Sequence, residues 1–253
     1  MSGLIGRHAL VTGAGSGIGA AIARSLAAAG TRLTLVGRRS EPLKTVSDET
    51  GGATVLTADL TREAEVQAMA AELREPVQIL IVNAGAAESC SFSKIALEQW
   101  RKMIDANLTS AFLTSRALLP AMVEEPSARI VFVASTAGLR GYPYVAAYAA
   151  AKHGLIGLMR CLALETAGTG VTVNAVCPGF TETPLLERSV DQIVAKTGRS
   201  REDAVRQLTR TNPQGRLVRP EEVADSVLWL CGQGASAVTG QAISISGGEV
   251  QTG

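Results

Sequence analysis

The stretch VTGAGSGIGAAIARSLAAAG, residues 11–30, decides how the chain reads. It leaves an apolar strand candidate, His8–Val11, passes glycines at 13, 15, 17 and 19, and enters an alanine-rich helical pattern over 18–29. Gly15, Gly17 and Ala20 fit the spacing G-x-G-x-x-A between a strand and a helix. A turn without side chains lets the backbone approach a pyrophosphate. The helix N-terminus aims free N–H groups and a partial positive charge at the same point. Gly13, Ser16, Gly17, Ile18 and Gly19 are the candidate cradle.

Working outward, short β-branched runs alternate with helical patterns. The strand candidates are His8–Val11, Arg32–Val36, Ala53–Thr57, Gln78–Val82, Arg129–Ala134, Val171–Val176 and Ala242–Ser246. Helices are expected at 18–29, 41–49, 62–74, 97–123, 146–167 and 221–232. This is β-α-β repeated, and it predicts an α/β fold: a Rossmann-like, doubly wound parallel sheet of about seven strands with helices on both faces. No linker or composition shift divides the chain, so 1–253 reads as a single domain. One segment breaks the rhythm. Residues 177–216 are polar and helical in pieces. Excursions at the carboxyl end of a strand are where such sheets keep their lids, and 180–214 is read as one.

Composition narrows the function. Apolar residues make up 46% of the 253, charged residues 19%, and the net charge is +1. No basic cluster with interleaved aromatics suggests nucleic acid. No apolar run approaches the roughly 18 residues of a membrane helix, and the first apolar run at His8 leaves no room for a leader, so a cytoplasmic protein is expected. Cys90, Cys161, Cys177 and Cys231 lack metal-ligand spacing and the chain has only two histidines. Reduced, mostly buried thiols and no metal are expected.

The second strand bears on which dinucleotide is bound. It ends LTLVGRRSE, residues 33–41, with Gly37 where a carboxylate would accept the 2′-hydroxyl of NAD. Arg38 and Arg39 follow, and two guanidiniums suit a 2′-phosphate. NADP(H) is therefore expected over NAD(H). Asp59 and Leu60, in ADL after the third strand, stand where an adenine edge is read; Asn83, Ala84 and Gly85, in VNAG after the fourth, stand at the switch-point crevice.

Taken in order, TGAGSGIG, ADL, VNAG, DANLTSAF, VASTAG, YAAAK, VNAVCPGFTET and VTGQAISISGG span essentially the whole chain. In these motifs the chain resembles the short-chain dehydrogenase/reductase family. The resemblance implies a four-residue catalytic apparatus: Asn107, Ser135, Tyr148 and Lys152. The spacing of Tyr148 and Lys152 puts phenol and ammonium on one helical face. A free phenol titrates near about 10, and a cation held close is expected to pull that value down. By resemblance, Tyr148 protonates the developing alkoxide and Ser135 stabilises it. Lys152 also holds the nicotinamide ribose, and Asn107 supports a water linking Lys152 to bulk proton exchange. Pro178 and Gly179 shape a turn beside the nicotinamide. Thr181 and Thr183 join the cofactor set, Thr183 on the carboxamide or the pyrophosphate. The family also implies a homotetramer built on the two long helices, and Gly154 and Gly157 in the second would allow close helix approach. Tyr142 and Tyr144 read as pocket wall, and His153 as structural.

Within the family, the motifs look most like ketoreductases of aromatic polyketide synthases and 3-oxoacyl thioester reductases. Glu124, Glu125 and Glu165 would meet an acidic carrier protein with like charge. The segment AAESCSFSK after VNAG lacks the Pro-Gly-Gly run of polyketide ketoreductases. A 3-oxoacyl thioester, with coenzyme A favoured as carrier, or a bulky free ketone is the expected substrate. Lys94, Arg140 and Arg188 are the cations available to an anionic acyl donor. Two other readings stand beside NADPH-dependent reduction. One is an NAD(P)-dependent secondary alcohol or 3-hydroxyacyl-CoA dehydrogenase working toward oxidation. The other is a dinucleotide sensor without turnover, which would have no need of Tyr148.

Overall fold

The run ILIV at 79–82 is apolar at every position, so a strand built from it must be covered on both faces. The computed structural model describes residues 3–251 and shows that cover. Seven strands, β1 (His8–Thr12), β2 (Arg32–Gly37), β3 (Thr54–Thr57), β4 (Ile79–Val82), β5 (Ala128–Val133), β6 (Val171–Pro178) and β7 (Ala242–Ile245), form one parallel sheet. Their order is β3-β2-β1-β4-β5-β6-β7. The chain winds one way from β1 to β3, returns, and winds the other way from β4 to β7. The crevice between the carboxyl ends of β1 and β4 is the switch point, where such sheets bind ligands.

Strand alternation divides the core. Ala9, Val11, Ile79, Ile81, Val131 and Val133 pack against α1 (Gly17–Ala28) and α9 (Pro220–Cys231) through Ile22, Leu26, Val223 and Val227. Leu10, Leu80, Ile130 and Phe132 face the other way, onto α5 (Ser110–Met122) and α6 (Ala146–Glu165) through Leu118, Leu155 and Met159. α2 (Ser40–Glu49) and α3 (Glu63–Ala71) complete the first half. Each strand lies within a residue or two of its expected bounds.

Two expectations need correction. The helix expected over 97–123 is interrupted: α4 (Leu97–Ile104) and α5 are joined by a wide π-type turn at Asp105–Thr109. Asn107 lies in this turn, and its side-chain amide bonds backbone of the 84–86 segment as well as the Met103 carbonyl. Single π turns inserted in a helix recur at functional sites. The helix expected over 62–74 ends at Ala71.

The 180–214 segment is a pair of helices, α7 (Pro184–Thr197) and α8 (Arg201–Thr209), with a small core of its own around Leu186, Val190 and Ala204. Gly198, at φ 67°, ends α7 in the left-handed conformation that lets a helix stop abruptly. A parallel bridge between Thr181 and Val218 ties the two ends of the segment together.

Gly19 shows how tightly the first turn of α1 is packed. A Cβ at this position would lie 2.3 Å from the Gly13 carbonyl oxygen and 2.5 Å from Asn83 Nδ2. Gly19→Ala should lower the free energy of unfolding by about 1–3 kcal/mol through overpacking, read from the midpoint of chemical denaturation. An unchanged midpoint would show that the turn yields freely.

Candidate active site

The glycine turn is shaped by what it must approach. Gly13 and Gly17 have φ of 65° and 56°, where other residues are strained. A Cβ on Gly13 would lie 2.9 Å from Ala84 Cα. Thr12 and Asn83 hold this contact. The Thr12 hydroxyl accepts from the backbone N–H groups of Asn83 and Ala84, and Asn83 Nδ2 donates to the carbonyls of Thr12 and Gly13. Asn83 thus acts by positioning the turn.

From the turn, a trough of about 920 Å³ runs across the carboxyl ends of the strands. It is lined by Gly13, Ser16, Gly17 and Ile18 at its centre, by Arg38, Arg39, Asp59 and Leu60 on one side, and by Asn83, Ala84 and Gly85 on the other. Gly15 of the glycine motif lines it too, and so do Pro42, Leu43 and Thr61, which do not stand out as site residues in the sequence. Their motif signal was weak because they are brought in by the start of α2 and the turn after β3. Gly19 packs beneath the turn and does not line the trough.

The trough fits an extended dinucleotide. Ser16 caps α1 with its backbone only, so its exposed hydroxyl makes no cap bond to the first-turn N–H groups. Arg38 and Arg39 are exposed, and among the described residues neither forms an ion pair. The Asp59 carboxylate accepts from the Thr61 hydroxyl and N–H, which chiefly hold it below its usual range; burial opposes this, and Arg38 and Arg62 add to it.

The four residues of the expected catalytic set converge beyond the inner end of the trough. Asn107 is buried, and its amide props the 84–86 turn: Oδ1 accepts from Ala86 N–H and Nδ2 donates to the carbonyls of Ala86 (2.8 Å) and Met103 (3.0 Å). A Cβ on Gly85 would lie 2.6 Å from Asn107 Oδ1 and 3.7 Å from Lys152 Nζ, so this glycine leaves room for both. Ser135 follows β5, and its Oγ accepts from Ala137 N–H. Tyr148 and Lys152 lie on successive turns of α6, with Nζ 5.7 Å from the phenol ring centre. Lys152 is 4% exposed and donates to the Val133 carbonyl at 2.9 Å, which leaves two N–H bonds for a ligand.

Burial dominates the electrostatics here. It pushes the Tyr148 phenol above its usual value, and the adjacent Ser135 hydroxyl offsets this only in part. Burial lowers Lys152 to about 8. The expectation that Lys152 pulls the phenol down is not met in the protein alone, because both groups are desolvated and the ammonium is bonded to Val133.

The remaining candidates separate. Pro178 closes β6, and Gly179 N–H donates to the Ile245 carbonyl. Thr181 is buried, spends its hydroxyl on the Gly179 carbonyl, and does not line the trough. Thr183 caps α7 and lies against the glycine turn, 3.1 Å from where a Cβ on Gly17 would stand. Tyr142 lies edge-on to Phe180, whereas Tyr144 is exposed with φ 69°. His153 bonds only the Ala149 carbonyl of its own helix. Gly154 makes room for Leu108 within the chain, where a Cβ would lie 2.8 Å from Leu108 Cδ2, and Gly157 has open space. Arg188 lines the trough. Of the cysteines, Cys177 and Cys231 are buried, Cys90 is half-buried and Cys161 is exposed, so "mostly buried" holds for only two. Among the described residues no three His, Cys, Asp or Glu side chains group as metal ligands, and no helix is long and apolar enough to cross a membrane.

Comparison with known proteins agrees with this geometry. Residues 7–194 match the family model described as short chain dehydrogenase. A provisionally named ketoacyl reductase of Streptomyces coelicolor is 41% identical over 95% of each chain. A D-beta-hydroxybutyrate dehydrogenase of Rhizobium meliloti is 38% identical, covering 96% of this chain and 98% of its own. The crystal structure of a tryptophan variant of actinorhodin polyketide ketoreductase with NADPH superposes with a TM-score of 0.92 at 40% identity, covering 98% and 99% of the two chains.

The buried ammonium makes a testable contribution to stability. Lys152 falls from 10.5 to about 8 on folding, so between these values the unfolded chain binds a proton that the native state has released. Stability from this group must therefore rise with pH across that window. The difference in unfolding free energy between the wild type and Lys152→Met should move in favour of the wild type by up to about 3 kcal/mol from pH 8 to 10.5. Denaturation series at matched pH check it, and a flat or falling difference would contradict the desolvated ammonium.

Proposed function

Because the chain belongs to the short-chain dehydrogenase family, we propose that it reduces a ketone to a secondary alcohol with NADPH, the ketone being a 3-oxoacyl thioester, with coenzyme A the favoured carrier, or a bulky free ketone. The coarser statement stands on family membership: the chain is an NAD(P)-dependent oxidoreductase acting on ketone and hydroxyl groups. The observation that carries the finer reading is the convergence of Ser135, Tyr148 and Lys152 beyond one end of a trough whose other end presents Arg38 and Arg39.

Bound in the trough, the dinucleotide supplies the hydride. Ser16 and the N–H groups of Gly17 and Ile18 take its pyrophosphate in this reading, with Gly19 packed beneath them, and the proximity of Thr183 to Gly17 favours the pyrophosphate over the carboxamide as its partner. Arg38 and Arg39 take the 2′-phosphate. Ser135 donates to the substrate oxygen. Tyr148, kept protonated by burial, gives its proton to that oxygen as negative charge develops on it. Lys152 holds the ribose with the N–H bonds left free by Val133, and Asn107 keeps the 84–86 turn in place beside it. The helices α7 and α8 cover the acyl chain as a lid. Leu164, 81% exposed on α6, and Phe112, 41% exposed on α5, are apolar surface that a homotetramer assembled on these helices would cover; the reductase is read as working in the cytoplasm.

The oxidative reading, an alcohol or 3-hydroxyacyl dehydrogenase, draws support from the hydroxybutyrate dehydrogenase relative. Cofactor choice separates the two. NADPH should bind at least about tenfold more tightly than NADH. Replacing both Arg38 and Arg39 by Ala should weaken NADPH by about 10- to 100-fold while sparing NADH, as followed by fluorescence titration. Equal affinities in the wild type would favour the oxidative enzyme. Tyr148→Phe should lower kcat by about 10²- to 10⁴-fold with NADPH affinity retained; undiminished turnover would remove Tyr148 from the chemistry.

A further inference from the structure

One carboxylate beside the reacting centre has no part in the chemistry above. Glu249 follows β7 and is half-buried. Its Oε1 accepts from the Tyr142 hydroxyl at 2.9 Å and from the Thr211 hydroxyl. Its Oε2 has no hydrogen-bond partner among the described residues and borders Gly179, where a Cβ would stand 3.3 Å away. The Thr136 side chain, next in sequence to Ser135, neighbours the Tyr142 oxygen. Tyr142 thus stands between Glu249 and the turn that follows Ser135.

This charge has little local compensation. Among the described residues Glu249 forms no salt bridge. Arg140 is the nearby cation. Its guanidinium lies 5.0 Å from the centre of the Tyr142 ring, on the ring face, and is exposed to solvent that screens it. The hydroxyls that could receive an incoming anion are already committed. Tyr142 has one O–H bond and donates it to Glu249, and Thr211 does the same.

We propose that Glu249 sets the charge of the substrate: the site takes ketones whose acyl end is neutral, as in a thioester, an ester or a cyclic ketone, and rejects free 3-oxo carboxylates. This rests on the ketone-reductase reading above and narrows it. In a 3-oxo acid the carboxylate is two bonds from the ketone carbon. In this assignment, with the ketone oxygen on Ser135, that carboxylate is directed toward the side of the site walled by Tyr142 and Glu249. Like charges about 6–10 Å apart in a half-buried setting discriminate by about tenfold to a hundredfold.

A matched pair of probes tests this with NADPH as reductant: ethyl acetoacetate and acetoacetate, which share the reacting ketone and differ in charge. The wild type should favour the ester in kcat/KM by at least about tenfold. Glu249→Gln keeps an acceptor for Tyr142 and Thr211 but removes the charge, and should shrink the ester-to-acid ratio by about tenfold or more. A merely structural Glu249 would change both substrates together and leave the ratio alone. Raising the salt concentration on the wild type gives the same readout without a substitution: the ratio should narrow as the charge is screened. A wild-type ratio near one, or a ratio unmoved by both Glu249→Gln and salt, overturns the assignment while the reductase reading stands. Turnover of neither probe, nor of an acetoacetyl thioester, overturns that reading and this assignment with it.

Discussion

The contact between the first glycine turn and the end of β4 is the constraint on which the rest of the site depends. Gly13 meets Ala84 so closely that a Cβ would fall 2.9 Å from its Cα. Thr12 and Asn83 lock that approach with bonds to each other's backbone. The switch-point crevice exists because two strand ends neighbouring in the sheet but distant in sequence are held at this distance. The trough, the start of α1, and the turn carrying Gly85 all take their positions from it. A side chain at Gly13 or Gly19 would press into this contact.

A second layer of positioning follows. Asn107 spends both amide protons on backbone carbonyls and accepts from Ala86 N–H. It fastens the π turn between α4 and α5 to the segment that begins at the switch point. Gly85, lacking a side chain, then leaves Lys152 free to approach. Backbone bonds fix two of the converging side chains: Lys152 donates to Val133 and Ser135 accepts from Ala137. Desolvation therefore outweighs Coulomb attraction at Tyr148 and Lys152. In the proposed reaction, such a buried, prearranged donor set would stabilise the charge that develops on the substrate oxygen, since burial weakens solvent screening.

Much of this was legible in the residues. Strand alternation, the glycine turn and the ordered motifs pointed to the sheet, its helices and the four residues Asn107, Ser135, Tyr148 and Lys152. The helical interruption at 105–109 was not legible. Its cause is a hydrogen bond from Asn107 to Ala86, 21 residues earlier, which local periodicity cannot register. Gly154 does allow a close approach, but its partner is Leu108 of the same chain, which the spacing of glycines along the helix does not name. Thr181 was grouped with the cofactor residues by its motif, but its hydroxyl turns back to Gly179.

Local pattern determined the fold class, the glycine turn between β1 and α1 and the pairing of a phenol with an amine, because these depend on spacing along a strand or helix. Tertiary structure alone decided which charges are buried, and so which way the pKa values of Tyr148 and Lys152 move. It also brought Glu249, near the end of the chain, beside Tyr142 and Gly179, more than a hundred residues from the first of them in sequence. Desolvation and through-space charge depend on three-dimensional neighbours, which the order of residues does not state locally.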